Sequence, residues 1–331
     1  MGDAAMSDVA IHTFLRPLAP FLDQSGISEI SINKPQEVWV EKSGEMECHH
    51  VPELDFDHIR TLSNLVAKYS EQQISEETPL LSATLPGDYR VQIVLPPAVE
   101  TGLVAISIRK QALLEMNLID YEKLGAFEQI NQQSAKTLSS GKKIDSLFKQ
   151  HQYREFIEEA LLAKKNILIS AGTSTGKTTF LNACLKAIPK DERILTIEDA
   201  REVKLSHANH VHLLSSRGGQ GLAKVTPQQL LEACLRLRPD RIILGELRGI
   251  EAFSYLRAIN SGHPGSITTI HADSPQLAFE QLVLMVMQAD LGMERPQILE
   301  YIRSIIPIVV QLKRGEKGHR YISEIYYSDA A

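Results

Sequence analysis

The run Ile167-Leu168-Ile169-Ser170-Ala171-Gly172-Thr173-Ser174-Thr175-Gly176-Lys177-Thr178-Thr179 carries the plainest chemistry in the chain. An apolar strand that breaks into a Gly/Ser/Thr loop and then starts a helix presents successive backbone N–H groups to an anion, at the positive end of the helix dipole. That geometry is a phosphate cradle. In the pattern G-x-x-x-x-G-K-[ST], residues Gly172, Thr173, Ser174, Thr175, Gly176, Lys177, Thr178 and Thr179 wrap the phosphates of ATP. Lys177 then reaches the β- and γ-phosphates, and the Thr178 hydroxyl ligates Mg²⁺. The first glycine of the pattern falls on Ala171, so the loop is expected to begin there in an ordinary backbone region.

Further polar groups sit where apolar runs end. Arg193-Ile194-Leu195-Thr196-Ile197 ends in Glu198-Asp199, Arg241-Ile242-Ile243-Leu244-Gly245 in Glu246, and Ser266-Ile267-Thr268-Thr269-Ile270 in His271. Helical sequence separates these runs, most clearly at Thr226-Pro227-Gln228-Gln229, a capping box with proline at the first helical position. Strands alternating with helices imply a parallel sheet, whose ligands gather beyond the carboxyl ends of its strands. Glu198, Asp199, Glu246 and His271 are therefore expected on the same edge as Lys177. A carboxylate there can hold Mg²⁺ through water or orient an attacking water, and a histidine can donate toward a γ-phosphate. The run before Glu246 resembles a Walker B strand whose usual aspartate is replaced by Gly245. Mg²⁺ would then rely on Thr178 and water, with Glu198 a further candidate. Glu246 is left free to polarise the nucleophilic water and is the expected catalytic residue.

The rest of the chain must position this edge. Its 331 residues suggest about two domains. At 43% hydrophobic and 23% charged the composition is that of a globular chain, and a formal net charge of −6 gives no strong signal for nucleic acid. No apolar stretch approaches the ~18 residues of a membrane span, and residues 1–11 lack a basic region followed by an apolar core. Cys48, Cys184 and Cys234 are scattered, without zinc or redox spacing.

In the amino-terminal part, Ile30 and Ile32 alternate, as do Val38 and Val40, across Asn33-Lys34-Pro35, which reads as a hairpin. Asp55 is placed to cap a helix whose apolar stripe is Phe56, Ile59, Leu62, Leu65, Val66 and Tyr69. Alternating strands follow over 90–95 and 103–110. This predicts an α+β domain over 1–112, a linker with one or two short helices over 113–152, including the polar run Asn131-Gln132-Gln133-Ser134, and a P-loop domain over 153–331. Arg90 and Arg109 end predicted strands. Each alone reads as a solvated charge, yet a domain folded over a nucleotide could use both as phosphate-pairing forks.

Three longer runs carry a resemblance. Glu198-Asp199-Ala200-Arg201-Glu202, the segment from Leu235 to Gly249 and the segment from Gly262 to Asp273 resemble the Asp box, Walker B and His box of the secretion-superfamily ATPases, most of all the type IV secretion (conjugative transfer) traffic ATPases. The likeness is dense over 160–290. It implies a RecA-like P-loop NTPase domain with a mainly parallel sheet, preceded by a smaller α+β domain. It also implies a homo-oligomer, a hexameric ring, which is cytoplasmic and peripherally associated with the inner membrane. Such a ring works with other secretion-system subunits and hydrolyses ATP to drive pilus assembly and export. By motif, Lys177 and Thr178 bind phosphate and Mg²⁺, Glu198 belongs to the Asp box, Glu246 is the Walker B glutamate and His271 faces the γ-phosphate. Arg90 and Arg109 match the arginines that clamp the nucleotide. Arg236 and Arg238 suit either a neighbouring subunit or a salt-bridged surface helix. A type II secretion or type IV pilus ATPase is the nearest alternative. A nucleic-acid motor, which would need a basic track, and a nucleotide-gated scaffold without much turnover are others.

Overall fold

The computed structural model describes residues 2–110, 116–128, 130, 135–216 and 221–328. The amino-terminal sheet has six strands, β1 (Ile27–Lys34), β2 (Glu37–Lys42), β3 (Glu45–His50), β4 (Leu80–Leu85), β5 (Tyr89–Val94) and β6 (Ala105–Arg109), in the order β3-β2-β1-β6-β5-β4 with every neighbouring pair antiparallel. The predicted hairpin is β1–β2, with Ile32 opposite Val38 and Lys34 opposite Glu37. Its turn is made by Gln36, whose φ of 64° takes the left-handed region. Asp55 caps helix Phe56–Tyr69 by accepting the His58 N–H at 2.8 Å, and Ile59, Leu62 and Val66 of that helix are buried against the sheet.

Seven strands form the second sheet: β7 (Ile167–Ala171), β8 (Ile194–Glu198), β9 (His210–Leu214), β10 (Arg241–Leu244), β11 (Ile267–Ile270), β12 (Ile308–Arg314) and β13 (Arg320–Tyr327). Their order is β13-β12-β7-β11-β10-β8-β9, parallel throughout except for the antiparallel return of β13. Helices cover both faces, so β7, β8, β10 and β11 are buried at every position, as strands shielded on two sides must be. Helices Pro227–Cys234, Glu251–Asn260, Pro275–Met287 and Arg295–Ile305 pack one face. Tyr153–Leu162 and Lys177–Lys186 pack the other. The expected α/β architecture is thus present, with three strands the alternation pattern did not reveal: β3, β4 and β9.

The stretch expected as a linker with one or two short helices over 113–152 contains two helices among its described residues, one of them long enough to join the core. Helix Ala135–Lys149 packs against Tyr153–Leu162 and buries Ile144 fully in the core under β7, with Leu147 and Phe148 beside it. A short helix, Leu118–Lys123, carries its own capping box from Asn117 and Asp120. The run Asn131-Gln132-Gln133-Ser134 lies outside the described residues. Among the described residues no helix is long and apolar enough to cross a membrane. Cys184 and Cys234 are buried among apolar neighbours, and burial pushes the Cys184 thiol up to about 12.

The two sheets meet at a buried polar seam. Arg193, just before β8, is fully buried and donates from Nη1 to Oδ1 of Asn33 (2.7 Å) and of Asn209, and from Nε to the Leu237 carbonyl at 3.0 Å. Asn33 Nδ2 donates to Asn209 Oδ1 at 2.9 Å. Burial pushes the Arg193 guanidinium down to about 10. Beside it Arg238 forks onto the Glu41 carboxylate of β2 and also pairs with Asp240. This explains Arg238 by contacts within its own chain. The seam lies at the start of β8, and the strand's other end delivers Glu198.

Candidate active site

The phosphate loop connects β7 to helix Lys177–Lys186. Ala171 is buried as the last residue of β7 and takes no left-handed conformation. The turn is made further on, by Ser174 (φ 59°) and Gly176 (φ 94°). Gly176 is required on two grounds. It caps the helix in the left-handed region, and a Cβ there would stand 2.9 Å from Arg320 Cδ. A cleft of about 610 Å³ opens over the loop, within the size range of nucleotide sites. All of Gly172, Thr173, Ser174, Thr175, Gly176, Lys177, Thr178 and Thr179 line it, as do Glu198, Asp199, Glu202, Glu246, Arg248, His271 and Arg320.

Three predicted residues converge from three strand ends. Lys177 Nζ lies 3.7 Å from Glu246 Oε1, 2.9 Å from both ring nitrogens of His271 and 3.3 Å from the Ala171 carbonyl. His271 Nε2 lies 2.7 Å from Glu246 Oε1, off the line of a good hydrogen bond, so this buried oxygen has no aligned donor. The other oxygen, Oε2, accepts from Arg248 Nη2 at 2.6 Å and Nε at 2.9 Å, and Arg248 Nη1 also donates to Asp199 at 2.7 Å. Glu246 is thus anchored through Oε2, while the buried Oε1, beside Lys177 and His271, is left open only in the sense that no donor is aligned to it, which suits a carboxylate that accepts a proton from water. Burial lowers the Lys177 ammonium below the usual lysine range, with Glu246 opposing the shift. A bound triphosphate would add to the counter-charge that Glu246 supplies.

Glu198 lies on the expected edge, in the lining of the same cleft, with its carboxylate turned to protein partners. It is buried, and Oε1 accepts the backbone N–H groups of Glu202 (2.9 Å) and Val203 (2.8 Å), while Oε2 faces the Thr196 hydroxyl at 3.3 Å and His212 at 3.8 Å. Oε1 is therefore engaged in holding the following turn, and Oε2 in the contact with Thr196. Burial opposes the charge, but His212 and the two N–H groups outweigh it and hold the carboxyl below its usual range. A carboxylate with a depressed pKa stabilises the fold above the unfolded value, and that contribution is lost as pH falls through the folded one. Glu198→Gln should accordingly cost about 2 kcal/mol at pH 7, and the gap to wild type should close below the ordinary carboxylate value of 4.5. Thermal unfolding of both proteins between pH 7 and about pH 2.5 checks this; a gap that persists or widens at the acid end rules it out.

The turn that Glu198 holds carries a residue without an assigned role in the sequence reading. Thr178 Oγ1 donates to Glu202 Oε2 at 2.9 Å. With glycine at position 245, the hydroxyl proton has found a carboxylate on another strand's exit loop. Donating that proton leaves the threonine lone pairs free for a cation, so the donor set fits Mg²⁺ bound through Thr178. Asn182, one turn along the loop helix, clamps the same segment by donating to the Glu202 carbonyl at 3.1 Å and accepting the Lys204 N–H at 2.8 Å. Arg248 and Arg320 were missed as well. Arg248 follows Glu246 by two residues, but Arg320 comes from the return strand β13 and has no local signal. Arg90 and Arg109 do not line this cleft. They are register partners across β5–β6 and line a second cleft with Tyr69, Gln72, Leu235 and Arg236. Arg109 also pairs with the buried Glu29 at 3.4 Å.

A P-loop beside an acid and an imidazole, on a parallel sheet with an added antiparallel edge, is the site of a P-loop nucleotide hydrolase, and comparison with known proteins places it in a family. Residues 13–317 match the family model described as type II/IV secretion system protein. The chain is 43% identical to the type IV secretion system protein VirB11 of Bartonella henselae over 96% of this chain and 92% of that one. It is 39% identical to the type IV secretion system protein PtlH of Bordetella pertussis, over 99% and 98% respectively. The crystal structure of the VirB11 ATPase from the Brucella suis type IV secretion system, in complex with sulphate, superimposes with a TM-score of 0.92 at 36% identity, covering 99% of this chain and 97% of that one. The chain belongs to the type II/IV secretion system protein family, and within it to the type IV secretion ATPases.

Proposed function

We propose that this chain is the ATP-hydrolysing subunit of a homo-oligomeric, hexameric ring that energises pilus assembly and substrate export, and that it works beside other secretion subunits at the cytoplasmic face of the inner membrane. The observation that supports it above all is the meeting of Glu246 and His271, from the ends of two strands, at Lys177. The loop N–H groups and Lys177 hold the β- and γ-phosphates. Glu246 takes the proton of the attacking water through its open oxygen, Arg248 fixes the carboxylate, and His271 donates toward the γ-phosphate. Thr178 would hold Mg²⁺, with Glu202 orienting its hydroxyl. When bound, the cation would neutralise negative charge on the phosphates. Glu198 acts through the turn it anchors.

Arg90 and Arg109 belong to this site in the proposal when a neighbouring subunit presents them, since in their own chain they face another cleft. The functional division is 1–112, 113–152 and 153–331, the first part supplying those arginines and the last the hydrolytic edge. Two measurements test the reading together. Purified protein should release phosphate from ATP with Mg²⁺ and not with EDTA, and its mass with a non-hydrolysable ATP analogue should be that of a multi-copy ring. Absence of turnover, or a monomer under both conditions, overturns the motor.

A further inference from the structure

A polar chain runs through the sheet from its far edge to the metal side of the cleft. Thr196 and Glu198 are two residues apart on β8 and therefore share a face, and His212 on β9 is the direct register partner of Thr196. All three are buried, at 0%, 5% and 5% exposure, so their polar groups depend on one another. The Thr196 hydroxyl lies 2.8 Å from His212 Nδ1 and 3.3 Å from Glu198 Oε2. A hydroxyl has one proton, and an ionised carboxylate can only accept. Thr196 therefore donates to Glu198, and its oxygen lone pair accepts from His212, which places a proton on Nδ1. From Glu198 the chain continues through the N–H groups of Glu202 and Val203 to the Glu202 carboxylate and the Thr178 hydroxyl.

Resting on the Mg²⁺-dependent reading above, we propose that His212 and Thr196 are positioning residues: they lock Glu198, and through the turn it holds they aim Glu202 at Thr178, setting the metal side of the site. Neither touches the nucleotide cleft. Their effect is thus on the orientation of Thr178, with little on the loop that grips the phosphates.

The test pairs truncating with conservative variants. In His212→Asn the side-chain amide nitrogen replaces Nδ1 at the same distance from the backbone, and Thr196→Ser keeps the hydroxyl. His212→Ala and Thr196→Val remove the donor and the relay. The truncations should each lower kcat about tenfold and raise the Mg²⁺ concentration for half-maximal rate about tenfold, the scale of outer-shell changes at metal sites, with KM for ATP at saturating Mg²⁺ near wild type. Asn and Ser should recover most of both losses. Equilibrium binding of a fluorescent ADP analogue gives a readout without turnover: affinity in EDTA unchanged, and the gain on adding Mg²⁺ reduced in the truncations alone. Unchanged kcat and Mg²⁺ requirement in His212→Ala, or Asn no better than Ala, overturns the proposal. Should His212→Ala not fold, by circular dichroism, the Thr196 pair decides on the same criteria. A wild type that binds with a Mg²⁺ increment yet never hydrolyses would overturn the motor reading, and the binding series would still decide this one.

Discussion

Glu246→Gln should lower kcat by about a thousandfold, the middle of the range for losing a positioned general base, while leaving nucleotide affinity at or above wild type. The amide keeps an oxygen for Arg248 but has no basic atom for the open side of the carboxylate. It also removes the negative charge facing Lys177 and His271, so the loop's cations are less neutralised and the triphosphate is held no more weakly. A thousandfold corresponds to about 4 kcal/mol of barrier. Steady-state phosphate release, with binding of a fluorescent ATP analogue measured on the same preparation, checks both halves. Full turnover in the Gln variant would show that the proton goes elsewhere.

Lys177→Ala should instead fail at binding. The Lys177 side chain is 12% exposed and its ammonium is the cation that the loop, Glu246 and His271 all face. Without it the triphosphate meets Glu246 uncompensated. Truncating one member of a desolvated charge pair costs several kcal/mol, so affinity should drop by about a hundredfold or more. Turnover should be lost with it. Lys177→Arg should restore little, because a planar fork does not fit where a compact ammonium sits between loop and strand ends. Titration of the fluorescent analogue against wild type and both variants decides; binding within a few-fold of wild type in the Ala variant would mean that Lys177 is not the phosphate ligand.

How legible the site was depended on whether a residue's role is set by its own strand. Lys177, Glu246 and His271 each follow an apolar run, and a parallel sheet brings all such ends to one edge, so their convergence could be read from order alone. Glu202 and Arg320 could not be found that way. One depends on a turn shaped by a buried carboxylate, the other on an antiparallel return strand two places away in the sheet. Glu198 stands at a strand end too, but one oxygen accepts from the backbone beyond it and the other faces Thr196, and nothing in its spacing distinguishes that from facing a cation. The strands that escaped notice have the same explanation. β3, Glu45–His50, buries no position fully and has no β-branched or aliphatic alternation, and is a strand because β2 offers it a hydrogen-bonding edge. Helix Ala135–Lys149 hid in a polar composition, with Ile144, Leu147 and Phe148 as a narrow apolar stripe at helical spacing.

The seam around Arg193 has a mechanical consequence. Parting the two sheets would deprive the buried Arg193 guanidinium of Asn33 and break the half-buried fork between Arg238 and Glu41, and a buried donor left without its partner costs about 1–3 kcal/mol. The seam therefore resists separation of the two halves at the amino end of β8, the end opposite the hydrolytic rim.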